Sequence, residues 1–203
     1  MNPAIKITLV DERSDKRAVL KHTGGIQSFI KDYSGTDEKV GKEIYFNGSE
    51  ELTYSDGKSR VVEVEICFQY NLSDKTNIYS FVNNINTVEG GEHLTGFKMG
   101  LVKSLNQYGK QNNLIKDGAE NISSDDCFEG LTAILSVRMY SPIFEGQTKT
   151  KLGTKEIRFI FSFIFILYRK YLLKFSIELL VLNFTLTSFN TNTLFLKYGF
   201  HCH

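Results

Sequence analysis

A chain of 203 residues with 41% hydrophobic content can bury the core of one domain with extensions, which excludes a disordered polar segment. A formal net charge of +1 excludes a general phosphate-tracking surface, so any contact with nucleic acid has to come through partners. Cys67, Cys127 and Cys202 are odd in number and far apart, which excludes a disulfide scaffold, and Met1-Asn-Pro-Ala-Ile-Lys6 has no charged-then-apolar leader pattern; a cytoplasmic protein is expected.

The alternation Ile5-Lys-Ile-Thr-Leu-Val10 predicts a strand, followed by the charged connector Asp11 to Arg17. Thr23-Gly-Gly-Ile-Gln-Ser-Phe-Ile30 combines a turn signal with Ile26, Phe29 and Ile30 at helical spacing. A Gly-Gly pair before a helix can cradle phosphate, but no P-loop lysine or full dinucleotide glycine spacing accompanies this one. Lys42-Glu-Ile-Tyr-Phe46 predicts a short strand, with Asn47-Gly48 and Asp56-Gly57 as turns. Val62, Val64, Ile66, Phe68 and Tyr70 then share one strand face, and Glu63, Glu65, Cys67 and Gln69 the other. The first face is expected in the core and the second largely wet, with Cys67 a partly covered structural thiol. Asn77 to Val82 predicts another strand, hairpin-paired to its predecessor across Asn71 to Thr76.

Glu89-Gly-Gly-Glu92 forms a corner where glycine supplies positive φ or close backbone approach, and His93 reads as a structural hydrogen-bonding group. Leu94, Phe97, Leu101, Val102, Leu105 and Tyr108 recur at three- and four-residue steps and predict an amphipathic helix closed by Asn112-Asn113 and Asp117-Gly118. Ser123 to Asp126 offers N-cap side chains for a brief turn. From Leu131 a second alternation sets Leu131, Ala133, Leu135, Val137 and Met139 against Thr132, Ile134, Ser136 and Arg138. That strand delivers the chain through Ser141-Pro142 to the polar loop Glu145-Gly-Gln-Thr-Lys-Thr-Lys-Leu-Gly153. Gln147, Lys149 and Lys151 on this loop read either as a solvated turn or as an amide and two cations able to grip an anion.

Two phrases carry a resemblance. Phe81-Val-Asn-Asn-Ile-Asn-Thr-Val-Glu-Gly-Gly-Glu-His-Leu-Thr-Gly-Phe97 is one; the other runs from Asp125-Asp126 through Glu129-Gly-Leu-Thr-Ala133 into Phe144-Glu-Gly-Gln-Thr-Lys-Thr-Lys-Leu-Gly153. In order and spacing they resemble the ATPase subunit of bacterial type II DNA topoisomerases, DNA gyrase B being the better match and the equivalent protein of topoisomerase IV the next. Over roughly Ile5 to Arg158 the resemblance implies an α+β transducer-type domain at residues 18–158, with a left-handed βαβ crossover and a mixed or antiparallel sheet packed on a long helix. Residues 1–17 would end a nucleotide-binding domain and connect to it. By the same match Gln147 and Lys149 bind ATP, reaching its γ-phosphate, with Lys149 the catalytic cation and Lys151 supporting. ATP and Mg belong to the complete protein, whose partners are its own nucleotide-binding and cleavage domains, the gyrase A subunit, DNA and a second copy in a homodimer. The resemblance implies a fragment of a DNA-binding isomerase that is inactive alone. Cys127-Phe128 stands where the family has Val-Arg, and Met139-Tyr140-Ser141 where it has a Val-Pro-Asp-like corner.

From Phe159 the composition turns apolar, and residues 159–203 are expected to be an aberrant tail foreign to the family and without periodicity. As a membrane anchor for a binding module, its first run, Phe159 to Tyr168, is half of the about 20 residues a crossing needs, and Arg169, Lys170, Lys174 and Glu178 interrupt longer windows, so no membrane is expected. His201-Cys-His203 offers adjacent ligands without a fourth, so no metal site is expected. A small lysine-dependent enzyme would need a desolvated lysine beside a base.

Overall fold

The computed structural model describes Pro3 and residues 5–167, apart from His22, Thr36, Asp37, Ser55 and Asp117. Most of the apolar tail, including His201-Cys202-His203, lies outside the described residues. The strand expected at the start is β1 (Lys6–Asp11), but the charged run after it is a hairpin tip and not a connector. Asp11 accepts from the Ser14 hydroxyl at 2.8 Å and from Arg13, and the chain turns back as β2 (Lys16–Lys21), antiparallel to β1. Ile7 pairs with Leu20 and Leu9 with Ala18, giving this two-stranded sheet an apolar face about half exposed to solvent.

Among the described residues the main sheet contains five strands in the order β3-β4-β7-β5-β6. Here β3 is Lys39–Thr53, β4 Ser59–Asn71, β5 Asn77–Val82, β6 Ile85–Asn86 and β7 Leu131–Arg138. Between them lie α1 (Gly25–Tyr33), α2 (Glu92–Gln111), α3 (Ser124–Phe128) and, last, α4 (Ile157–Leu167). Asn47-Gly48 is not the turn its dipeptide suggests: it lies inside β3, opposite Glu65 and Val64. Gly48 is small for a packing reason, since a Cβ there would stand 2.6 Å from Cζ of Phe46. The turn falls at Asp56-Gly57, where Gly57 has φ +74° and its N–H donates to Tyr54 O at 2.9 Å.

The expected β4–β5 hairpin is also corrected. β7 lies between these strands, antiparallel to β4 and parallel to β5, and α2 makes the crossover from β5 to β7. Gly130 admits this arrangement: with φ +71°, it brings its backbone against Asn71 O so closely that a Cβ would overlap the carbonyl. A central strand is covered on both faces, and every residue from Leu131 to Val137 is buried.

On one face Val62, Val64, Ile66, Phe68 and Tyr70 meet Phe97, Leu101 and Leu105 of α2. The opposite face is wet only in part: Glu63 is exposed and Glu65 partly so, but Cys67 and Gln69 are buried. Ile26 and Ile30 of α1 cover Cys67, Phe81 and Ile134, so Cys67 is fully buried and burial pushes its thiol up to about 12.

The apolar stretch from Phe159 begins with a helical period. Ile157, Ile160, Phe161, Ile164 and Phe165 of α4 join the main core, with the Phe165 ring 5.4 Å from Phe97 and 6.3 Å from Phe68. Two glycines of α2 receive it. A Cβ at Gly100 would lie 3.0 Å from Ser162 Cα, and one at Gly96 would overlap the Arg158 carbonyl. Ser162 Oγ donates to Gly96 O at 3.2 Å across this seam. Burying two phenylalanines stabilises the pair of helices by about 3–6 kcal/mol; the expectation that the stretch from Phe159 lacks periodicity therefore fails as far as Leu167.

Candidate phosphate-sensing loop

β7 reaches the loop through a corner held by Asn83. The two-residue connection between β5 and β6 is Asn83-Asn84, at φ +48° and +66°, the left-handed pair that a tight hairpin requires and asparagine tolerates. The Asn83 side chain then pairs with Met139 as a strand would, accepting from its N–H and donating to its carbonyl, both at 2.9 Å. This anchor fixes where the chain leaves the sheet.

The loop closes on itself and on α2. Glu145 N–H donates to Lys151 O at 2.9 Å, Gly153 N–H to Ile143 O at 2.8 Å, and Phe144 and Leu152 form an antiparallel bridge. Its outer edge is stitched to the glycine corner: Glu89 N–H donates to Thr150 O, Leu152 N–H to Gly90 O and Glu92 N–H to Leu152 O, each at 3.0 Å. Gly91 has φ +126° and passes so close to Leu152 that no side chain fits. Leu152 is fully buried, so the stem is rooted in the core while the tip stays outside.

At that tip Lys149 N–H donates to Gly146 O at 3.3 Å, closing a turn around Gln147 and Thr148, and Lys149 takes φ +55°. The side chains of Gln147 and Lys149 are both exposed on this turn. Lys149 Nζ stands 5.8 Å from the centroid of the Phe144 ring and joins no ion pair among the described residues. Lys151 differs: its ammonium is 2.9 Å from Glu145 Oε2, and this hydrogen bond holds its pKa above the ordinary lysine value. The three candidate side chains are thus brought onto one loop, two exposed at its tip and one committed to a carboxylate.

His93 is structural. It is fully buried, its Nε2 lies 3.2 Å from Thr87 Oγ1, and Thr87 is locked to Ser80 by a 2.7 Å hydroxyl contact. Thr87 Oγ1 also lies 2.9 Å from Ser80 O, and burial lowers the His93 ring to about 4. Among the described residues no three His, Cys, Asp or Glu side chains gather to hold a metal ion. Among the same residues no helix is long and apolar enough to cross a membrane.

The sequence profile of the DNA gyrase B family matches residues 25–168. The chain belongs to the DNA gyrase B family. It is 46% identical over 159 residues to the DNA gyrase B protein of Clostridium acetobutylicum, covering 78% of this chain and 24% of that protein. To the DNA gyrase B protein of Bacillus mycoides it is 42% identical over 166 residues, 81% of this chain and 39% of that one. The chain therefore spans between a quarter and two-fifths of these gyrase B relatives. Among solved structures it is similar to the 43K ATPase domain of Thermus thermophilus gyrase B, solved with an aminocoumarin, at 29% identity and TM-score 0.59 over 81% of this chain and 43% of that one. The Myxococcus xanthus gyrase B-subunit, at 18% identity and TM-score 0.66 over 89% of this chain and 55% of that one, shares the fold. The gyrase B match continues past Arg158, where the recognisable phrases end, through α4.

The sequence marks Gln147 and Lys149 as candidates but not the residues that support their loop. Asn83 carried a readable signal, an Asn-Asn pair between apolar runs; the Glu92–Arg158 ion pair, formed across 66 positions, carried none.

Proposed function

We propose that this chain is the transducer part of a DNA gyrase B protein, and that Gln147 and Lys149 read the terminal phosphate of ATP held by a neighbouring nucleotide-binding domain. The observation that carries this is a lysine, in no ion pair among the described residues, at an exposed tip whose stem is hydrogen-bonded to the start of α2. Gln147 donates an amide N–H to a γ-phosphate oxygen, and Lys149 donates from its ammonium and offsets the charge. A charge-assisted hydrogen bond contributes about 1.5–3 kcal/mol, so losing the γ-phosphate is enough to change which domain orientation is preferred. The stem carries the shift to α2 through the Glu89, Gly90 and Glu92 backbone bonds, and α2 passes it to α4 through the glycine seam.

The half-exposed apolar face of β1 and β2 supports the other half of the reading, since a nucleotide-binding domain packed on this hairpin would bury it. On this view ATP with magnesium is bound and hydrolysed by the complete protein, which works as a homodimer with the gyrase A subunit on DNA. Magnesium would be held by the nucleotide-binding domain.

The test uses a complete gyrase B protein in which residues 5–158 of this chain replace the matching segment of the Clostridium acetobutylicum relative. Affinities for a non-hydrolysable ATP analogue and for ADP are compared. Lys149→Ala is expected to cut the preference for the triphosphate by about tenfold or more, since 1.4 kcal/mol is tenfold. An unchanged preference removes the phosphate role.

A further inference from the structure

We infer that Glu92 and Arg158 form a positioning pair that sets where the Gln147–Lys149 tip stands, a role that rests on the phosphate-reading function above. Glu92 opens α2 and makes two contacts in opposite directions. Its backbone N–H donates to Leu152 O at 3.0 Å, on the returning arm of the loop, and its carboxylate accepts from Arg158 Nε at 2.5 Å, on the first turn of α4. The residues between Leu152 and Arg158, which join loop to helix, are therefore bracketed by one side chain and its own backbone.

The remaining contacts make this bracket stiff. α4 is seated on Gly96 and Gly100, and Ser162 is bonded to Gly96 O, so Arg158 cannot follow a displaced loop without unseating a buried helix. On the other side Ile143 N–H donates to Thr154 Oγ1 at 3.0 Å, tying the loop's outgoing arm to the bracketed segment. The Glu92 side chain is 17% exposed and Arg158 40%, so the pair is partly shielded from water and more than a loose surface contact. A carboxylate in the first turn also complements the partial positive charge at the start of α2. Lys151 is committed to Glu145, and Lys149 joins no ion pair among the described residues.

The chimaeric gyrase B protein described above provides the assay. Glu92→Gln keeps the side chain's shape and removes its charge, Arg158→Gln removes the partner, and the double variant removes both. Each single variant is expected to lower the preference for a non-hydrolysable ATP analogue over ADP by about three- to tenfold, and the double variant to lower it no further than the worse single, the signature of one shared interaction. Arg158→Lys, which keeps a cation, is expected to recover part of the loss. A pair that serves stability alone would lower the melting midpoint and leave the triphosphate preference unchanged, and that result overturns the inference. So does a double variant whose loss is the product of the two singles. Lys149→Ala run alongside separates the two ideas: if it lowers the preference while the Glu92 and Arg158 variants do not, the pair is dismissed and the phosphate reading stands. If Lys149→Ala changes nothing, both fall.

Discussion

His93 is neutral inside the fold and free to take a proton once the chain unfolds, so acid should act on this protein first through one ring. Burial holds its pKa at about 4 against an ordinary 6.5, and its Nδ1 has no hydrogen-bond partner among the described residues to stabilise an imidazolium. A folded pKa below the unfolded one means that the stabilisation is complete above pH 6.5 and is lost as pH falls towards 4. At about 1.4 kcal/mol per pH unit the whole effect is about 3 kcal/mol, of which about 2 is gone at pH 5. Glu92 and the exposed Asp11 and Asp56 have lowered pKa values, chiefly through hydrogen bonds from Arg158, Ser14 and Arg60, and they lose their contribution only at more acid pH. The assay is urea unfolding followed by far-ultraviolet circular dichroism, because the chain has no tryptophan. Between pH 7 and pH 5 the midpoint should fall by about 1 M, taking a slope of about 2 kcal/mol per molar urea. His93→Gln, which can still hydrogen-bond to Thr87, should be less sensitive to pH over that window. Equal slopes for the two proteins, or a flat profile for the parent, would refute the buried-imidazole argument.

Two further substitutions test the packing. Gly91→Ala should unstitch the loop from α2, removing three backbone hydrogen bonds worth about 0.5–1.5 kcal/mol each, and should speed amide exchange at Glu89, Glu92 and Leu152; protection as before would mean that the close approach is not required. Gly96→Ala should destabilise by up to about 2 kcal/mol in a thermal melt, because the overlap with Arg158 costs about 1–3 kcal/mol and alanine's better helix propensity returns about 1. A rise in melting temperature would mean that α4 is not seated where described.

Local periodicity made much of this fold readable. The alternation in β4 and β7 assigned their core faces correctly, and the stripe through Leu94, Phe97, Leu101 and Leu105 marked α2. What failed was non-local. Nothing near Asn71 says that the next strand will skip a place in the sheet, and nothing near Cys67 says that α1 will cover its face. Asn47-Gly48 has turn chemistry yet lies in a strand because Phe46 needs the space above Gly48. The apolar letters after Arg158 looked featureless because, with residues so uniformly greasy, their period shows only against the glycines that receive them. At the site, the tip residues stood out through the family resemblance and Asn83 through its Asn-Asn pair, whereas Glu92, which supports the loop through contacts with distant backbone and a distant side chain, had no such signal.

Placing β7 between β4 and β5 has a kinetic consequence. As the chain emerges from a ribosome, β4 and β5 are made well before the strand that joins them, and each presents an unpaired edge until Leu131 to Arg138 arrive. Closure of such a long loop is slow, and the waiting edges invite other chains. Synthesis halted before Leu131 should therefore yield aggregates or chaperone clients, whereas a pause after Arg138 leaves the five strands able to assemble.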